Sequence, residues 1–186
     1  MTWRTPIVAL LFGACASTAA IAGSLDLNLN NDVVEASYLS DPTTFQYRFG
    51  ALHDDRTKDW LGHAGFVALG EQENQAMRST IGFGGRVYSG STGPFNILSV
   101  PLGGQFSVYP AGFGSIGFSG YAFYAPNVLS GLDTERFFDA GVRVEFEIIK
   151  PTTVIYLGYR KIEAKFKNLG TSTIEEGGHI GLRISF

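Results

Sequence analysis

Apolar and polar residues alternate along most of this chain, and this period of two constrains the fold more than any other feature. Segment 137–148 places six apolar residues on one side and mostly charged residues on the other. The last segment repeats the pattern, and its apolar side consists of Ile180, Leu182, Ile184 and Phe186. Because successive side chains of a strand point to opposite faces, the pattern predicts long β-strands with one apolar and one polar face.

We predict ten strands from this alternation, at residues 24–30, 33–40, 43–53, 60–72, 76–88, 97–108, 112–124, 136–149, 152–165 and 174–186. Strand 60–72 is ambiguous, because both of its faces carry apolar residues. The first two strands are short, and dropping that hairpin leaves eight strands as the alternative. A helix bundle is excluded, since 24 glycines would each cost about 1 kcal/mol in a helix interior.

Strand length and loop length distinguish a soluble sandwich from a transmembrane barrel. Most predicted strands have 11–14 residues, whereas strands of soluble sheets usually have about 5–6. The predicted connections alternate between short ones at 41–42, 73–75, 109–111 and 150–151 and long ones at 54–59, 89–96, 125–135 and 166–173. Outer-membrane barrels combine short periplasmic turns with long outer loops. We therefore predict an all-β fold, a transmembrane antiparallel up-and-down β-barrel of about ten strands.

The first 22 residues are typical of a secretory signal peptide. They contain one positive charge, Arg4, then a short apolar run, and end in a small-residue cleavage motif formed by Ala20 and Ala22. Segment 1–22 is thus predicted to be the signal and segment 23–186 the barrel domain. Lipid attachment at Cys15 is the alternative. If cleavage follows Ala22, the mature chain has no cysteine, which excludes disulfides and cysteine-based zinc sites.

The polar faces of the predicted strands carry many charges, which would have to point into the barrel. A charge that faces lipid costs about 2–4 kcal/mol at the midplane. The predicted inward residues are Arg48, Arg78, Arg86, Asp139, Arg143, Glu145, Glu147, Arg160, His179 and Arg183. They could form a structural salt-bridge network or line a polar pore or solute site. Barrels of about eight strands are filled by side chains, so a wide pore is not expected.

Residues 87–132 contain no charged residue and no histidine. The inward positions predicted for this neutral wall are small or uncharged: Ser99, Gly103, Gln105, Ser107, Ser115, Gly117 and Ser119. The wall could leave room for the long arginines opposite, or it could leave a thin water path.

Motifs for catalysis are absent from the sequence. There is no G-x-S-x-G motif, and no histidine is followed two residues later by serine, the pair used by barrel lipid deacylases. The G-x-G-x-x-G match at 112–117 opens a strand instead of a helix. A loop cluster could hold a divalent cation or be merely solvated: His53, Asp54, Asp55, Asp59 and His63. We expect no enzyme activity, no cofactor and no metal.

Several short segments resemble the YfaZ family of small Gram-negative outer-membrane proteins. They are the segments 24–32 and 33–38, Leu-Gly-Tyr-Arg at 157–160, and Ile-Ser-Phe at 184–186. The resemblance implies an outer-membrane location and a barrel fold, and it supplies no catalytic residues.

The sequence also leads to expectations about partners and function. The terminal strand with Ile180, Leu182, Ile184 and Phe186 resembles the signal that the barrel assembly machinery recognises. Other expected partners are outer-membrane lipids, including lipopolysaccharide. A net charge of −3 gives no reason to expect nucleic acid. We expect a monomer with a structural or interaction role in the envelope, or alternatively a narrow channel for passive diffusion of small solutes or ions.

Overall fold

A computed structural model describes residues 22–41, 44–167 and 170–186 of the chain. The predicted signal segment up to residue 21, with Cys15 and Ala20, lies outside the described residues. Within them the fold is a closed antiparallel barrel with ten wall strands, which confirms the predicted architecture. The described part of the chain contains no helix with the length and hydropathy needed to cross a bilayer.

The described ranges contain twelve strands, ten of which form the wall of the barrel. Their bounds are β1 Gly23–Leu29, β2 Val33–Ser40, β3 Phe45–Asp54, β4 Trp60–Glu73, β5 Met77–Thr92, β6 Phe95–Ser99, β7 Leu102–Pro110, β8 Ile116–Ala125, β9 Ser130–Leu132, β10 Thr134–Ile149, β11 Thr153–Phe166 and β12 Gly170–Ser185. Strands β6 and β9 are short additions, and two single 3₁₀ turns lie at Ala111–Phe113 and Asn127–Leu129.

Pairing of the first strand with the last closes the barrel. Leu27 of β1 lies opposite Leu182 of β12 in an antiparallel register. Because each wall strand pairs on both sides, the barrel leaves no open sheet edge. Closure of this kind is required in hydrocarbon, where each unpaired backbone group costs several kcal/mol.

The outer face of the barrel is apolar and the inner face is charged, as the alternation predicted. Val142 is 59% exposed and Leu157 is 55% exposed, whereas Arg143 is only 7% and Arg160 only 2% exposed. A soluble sandwich would reverse these values. In β4, whose orientation the sequence left ambiguous, Leu61 is buried inside the barrel.

The barrel has two ends, which we name by the chain segments found there. The terminal end holds the start of β1 and the end of β12. The loop end holds the turns that join β1 to β2, β3 to β4 and β5 to β6. This distinction locates the features described below.

At the loop end the strands extend further than the sequence analysis predicted. Segment 89–96 is not a long loop, because β5 continues to Thr92 and a tight turn containing Gly93, with φ +55°, leads into β6. Similarly, β12 already begins at Gly170. The alternation of apolar and polar residues ends before the strand does, because the outward residues there, such as Ser89 and Ser91, are polar. The strands continue beyond the apolar band with a different outer surface.

Predicted strand 97–108 is divided into β6 and β7 at Pro101. Proline has no N–H and cannot donate to the ladder, so pairing is interrupted. The register does not shift, since Tyr88 faces Ser99 before the break and Gly85 faces Leu102 after it. On the loop-end side of Pro101, β6 also pairs with β9, which lies within the predicted loop 125–135. The division therefore adds a short sheet extension at the loop end.

A cluster of apolar side chains fills the barrel at the loop end, and we call it the loop-end core. Its buried members are Val33, Leu52, Leu61, Tyr88, Ile97, Ala125, Phe137, Ile162, Ala164, Phe166 and Ile174. On β11 the outward neighbours at this level are Lys161, Glu163 and Lys165. The loop end is thus apolar inside and polar outside, the reverse of the arrangement nearer the terminal end.

Candidate functional site

The ten predicted inward residues all lie on the inner face of the barrel. Most are buried, whereas the side chains of Arg48, Arg78 and Arg183 are partly exposed. Apart from His179, these residues have partners on strands distant in sequence, so the lumen holds a network and not a set of separate pairs. The full set is Arg48, Arg78, Arg86, Asp139, Arg143, Glu145, Glu147, Arg160, His179 and Arg183.

Arg160 on β11 is the centre of this network. Its Nη1 donates to Glu35 and lies 3.4 Å from Oε2 of Glu175, and its Nε donates to Oδ1 of Asp139 at 3.2 Å. Asp139 also accepts a hydrogen bond from Nη1 of Arg86 at 3.2 Å. The four side chains that join Arg160 in this cluster through hydrogen bonds or ion pairs come from β2, β5, β10 and β12, so the cluster ties opposite walls together across the lumen.

A second cluster surrounds Asp26 on β1. Its Oδ2 lies 3.4 Å from Nη2 of Arg48, 3.4 Å from Nη1 of Arg143 and 3.5 Å from Nε of Arg183. The other oxygen, Oδ1, accepts a hydrogen bond from the hydroxyl of Tyr156. One buried carboxylate is thus shared by three guanidinium groups.

A third cluster lies nearer the terminal end, around two carboxylates of β10. Glu145 accepts hydrogen bonds from the hydroxyls of Tyr109 and Ser119. Glu147 accepts a hydrogen bond from Arg78. These bonds connect β10 to β5, β7 and β8 and hold the carboxylates against the wall.

His179 is buried, and neither of its ring nitrogens has a hydrogen-bond partner among the described residues. Its ring meets that of Tyr156 edge-on, with centroids 5.8 Å apart. His179 is therefore packed inside the lumen without belonging to the ion-pair network.

The neutral wall is not composed of small residues alone. Tyr121 and Phe123 also point inward from β8, and the guanidinium carbon of Arg86 lies 3.9 Å from the ring centroid of Phe123. Gly84 and Gly103 face each other beside Phe123. The glycines leave room for the ring and the arginine above it, an arrangement that favours cation–π attraction. At this level the neutral wall accommodates arginine.

A cavity of about 370 Å³ occupies the terminal half of the lumen. Gly23 and Ser185 lie at its mouth, and Arg48, Arg86 and Arg143 line its inner part. None of its wall residues belongs to the loop-end core. The cavity therefore opens at the terminal end and stops at the Arg160 cluster, whose Arg86 forms part of the cavity wall.

Ser37, His63 and Glu35 come together in the lumen, a residue combination that hydrolases use. Nε2 of His63 lies 2.9 Å from Glu35 and 3.3 Å from Ser37 Oγ, and the serine hydroxyl donates to Glu35 at 3.1 Å. A catalytic relay needs the two ring nitrogens to face different partners, but Nδ1 of His63 has none among the described residues. The three residues do not line the cavity either. The geometry is that of a structural cluster.

The loop residues considered as a cation site have separate partners. Asp59 accepts hydrogen bonds from the Thr92 hydroxyl at 2.8 Å and from the Gly93 amide at 3.1 Å. His53 stacks on Trp60, and His63 points into the lumen. Within the described ranges no group of three histidine, cysteine, aspartate or glutamate side chains is placed to hold a metal ion.

Sequence reasoning missed three carboxylates of the network, Asp26, Glu35 and Glu175. A signal for each existed, because Asp26 and Glu35 alternate with apolar residues in the first two strands and Glu175 has the same parity as His179. The short length of the first hairpin concealed the importance of its polar face.

The terminal-strand residues of the predicted assembly signal form an outward stripe. Ile180, Leu182 and Ile184 face away from the lumen along β12, and Phe186 follows at the terminal end. Their positions describe a lipid-facing surface; recognition by the assembly machinery stays a prediction.

Comparison with known proteins gives one family match. A family model described as YfaZ precursor matches residues 4–186. No curated protein is similar enough to the chain to count as a match. A chain from a solved structure reported as "Unveiling the Mechanism Behind the in-meso Crystallization of Membrane Proteins" is 14% identical. The match covers 89% of this chain and 83% of that one, with a TM-score of 0.39, which is too low to support an inference.

Proposed function

Because the chain belongs to the YfaZ family, which is of outer-membrane β-barrel type, we propose that it is a small structural protein of the Gram-negative outer membrane and conducts no solutes. It would be exported by its signal segment and inserted as a monomer, with the terminal end in the periplasm and the loop end outside. The family and the apolar outer face support this location. We propose no catalytic role. His63 is buried, and of its two ring nitrogens only Nε2 has hydrogen-bond partners among the described residues.

This proposal rests on two layers of buried side chains that cross the lumen. Beyond the inner end of the cavity, a path along the axis from the terminal end meets the Arg160 cluster, where Arg160, Glu35 and Asp139 are each less than 5% exposed. It then meets the loop-end core, where Tyr88 and Phe137 are fully buried. An ion would have to break buried ion pairs and then cross an apolar layer. The arrangement favours a sealed barrel over the narrow channel that the sequence left open.

Planar-bilayer recordings test this proposal. The purified barrel is expected to give no stepwise conductance at moderate voltage, since its lumen is blocked at two levels. A general porin inserted in the same bilayer serves as the positive control. Reproducible unit conductance from the folded protein would contradict the sealed barrel and favour passive diffusion.

The location is tested by gel migration of the outer-membrane fraction. A folded barrel resists detergent until it is boiled, so we expect two mobilities that interconvert on heating. A product recovered only from the soluble periplasmic fraction would contradict the outer-membrane location.

Contact with lipopolysaccharide is part of the same proposal. Above the apolar band, β11 carries the outward residues Lys161 and Lys165, which pair with Glu163 at 2.9 Å and with Glu135 at 2.7 Å. Mixed charges at this height suit the phosphates of lipopolysaccharide and the divalent ions that bridge them.

A further inference from the structure

We propose that the inner end of the terminal-end cavity binds a small oxyanion, a carboxylate or a phosphate, which enters from the terminal end. The site is formed by Arg48, Arg143 and Arg183, which converge on Asp26. All three arginines line the cavity. This inference goes beyond the sealed-barrel proposal and does not depend on it, because the cavity reaches the terminal end whether or not the lumen is closed above it.

The balance of donors and acceptors around Asp26 carries the inference. Each guanidinium has five N–H donors, but among the described residues Arg48 and Arg143 each make one hydrogen bond, of 3.4 Å, to the same carboxylate oxygen. The side chain of Arg143 is 5% exposed, and its Nε has no partner among the described residues. Both oxygens of Asp26 are already in use. The site thus offers positive donors without matching acceptors, buried at Arg143 and partly exposed at Arg48 and Arg183.

The other carboxylates of the cavity wall do not supply those acceptors. Glu145 is bonded to Tyr109 and Ser119, with Arg183 at 3.7 Å. Glu147 is bonded to Arg78, and Nζ of Lys150 lies 3.6 Å from it. The remaining acidic wall residues, Asp41 and Glu71, lie near the strand ends at the mouth. Unmatched positive charge is therefore concentrated at the inner end of the cavity.

The size and chemistry of the cavity define the ligand class. Its volume of about 370 Å³ is at the lower end of the range of small-molecule sites. Guanidinium groups bind carboxylate and phosphate oxygens through paired N–H donors, which a halide or a neutral solute cannot use equally well. Neutral side chains such as Gln105 and Ser107 complete the wall. A small oxyanion fits this combination.

Thiol labelling inside the cavity tests the site. In a Cys15→Ser background, Ser107→Cys places one thiol on the cavity wall, and Ser89→Cys places one on the outer surface. An anionic sulfonate-bearing methanethiosulfonate should modify the cavity thiol at least about tenfold faster than the cationic trimethylammonium reagent, because a positively charged cleft concentrates anions. The ratio is normalised to that of the Ser89→Cys thiol. Equal or reversed normalised rates would overturn the proposal.

Protection by ligand distinguishes the possible sources of the oxyanion. Slower labelling of Ser107→Cys in inorganic phosphate, without lipid, indicates a soluble anion. Slower labelling only in micelles that contain phosphatidylglycerol indicates a lipid headgroup. Absence of protection by either probe would overturn the proposal.

Two arginine variants provide the matched comparison. Arg48→Gln keeps a long polar side chain but removes the charge, and it should abolish both the rate preference and the protection. Arg136→Gln removes a charge at the opposite end of the barrel and should change neither. If Arg48→Gln does not fold, the reagent ratio and the protection in the parent Ser107→Cys protein still decide the question. An Arg48→Gln protein that folds and keeps the preference and the protection would overturn the assignment.

Discussion

Replacing Arg160 with methionine is expected to lower the free energy of unfolding by about 3–5 kcal/mol, the usual effect of removing one partner from a buried ion cluster. The side chain of Arg160 is 3% exposed, and those of Glu35, Asp139 and Glu175 are 5% exposed or less. Without the guanidinium, these carboxylates lose their shared cation inside the lumen. Urea unfolding of the barrel in phospholipid vesicles measures the change.

Two further variants serve as a control and as a compensating variant for Arg160→Met. Lys161→Met removes the next cation along β11, whose side chain points outward and is 35% exposed, and it should change the free energy of unfolding by at most about 1 kcal/mol. Adding Glu35→Gln and Glu175→Gln to Arg160→Met should restore much of the lost free energy of unfolding, because these two substitutions remove carboxylate charges that the missing guanidinium no longer compensates. If Arg160→Met had no larger effect than Lys161→Met, the central role of Arg160 would be wrong.

The second large effect is expected at Gly84, where β5 lies against the backbone of β4. A Cβ at this position would overlap the carbonyl oxygen of Phe66 and lie 2.8 Å from the Cα of Val67. Backbone atoms in a closed barrel cannot move aside without disturbing the neighbouring ladder. We expect Gly84→Ala to lower the free energy of unfolding by about 3 kcal/mol or more, with a smaller heat-modifiable fraction on gels.

Gly70→Ala is the matched control on the adjoining strand. The nearest atom to its added Cβ is the Cγ2 of Ile81, 3.8 Å away, which is an ordinary contact distance. Its effect should stay within about 0.5 kcal/mol. Equal stability of the Gly84→Ala and Gly70→Ala proteins would show that the strands at Gly84 are not as close as described.

The barrel is adapted to two surroundings along its axis. Near the terminal end the outer face is apolar and the inner face charged, whereas at the loop end Ile162 and Phe166 are buried inside while Lys161 and Lys165 point outward. The change falls within single strands. A single strand can therefore contain both a lipid-facing segment and a water-facing segment without a break in its hydrogen-bonded pairing.

The sequence by itself determined, for every strand except the ambiguous 60–72, which side of the strand a residue occupies. Arg143 and Arg160 point inward because covalent geometry alternates side chains along any strand, and alternation is visible locally. The same rule was available for Asp26 and Glu35, but the shortness of their strands hid them. Whether a residue points inward or outward is thus a local property, and ten strands with one apolar face, most of them with charges on the other face, were enough to predict the barrel.

Only the tertiary structure decided which inward residues meet. Glu35 bonds to Arg160 across 125 residues of sequence, and Asp26 bonds to Tyr156 across 130. These pairings depend on the height of each residue along the axis, which is set by the tilt and stagger of the closed barrel. The alternation of residues contains no information about that height. For the same reason, the buried clusters that cross the lumen and the cavity at the terminal end became visible only when the ring of strands was complete.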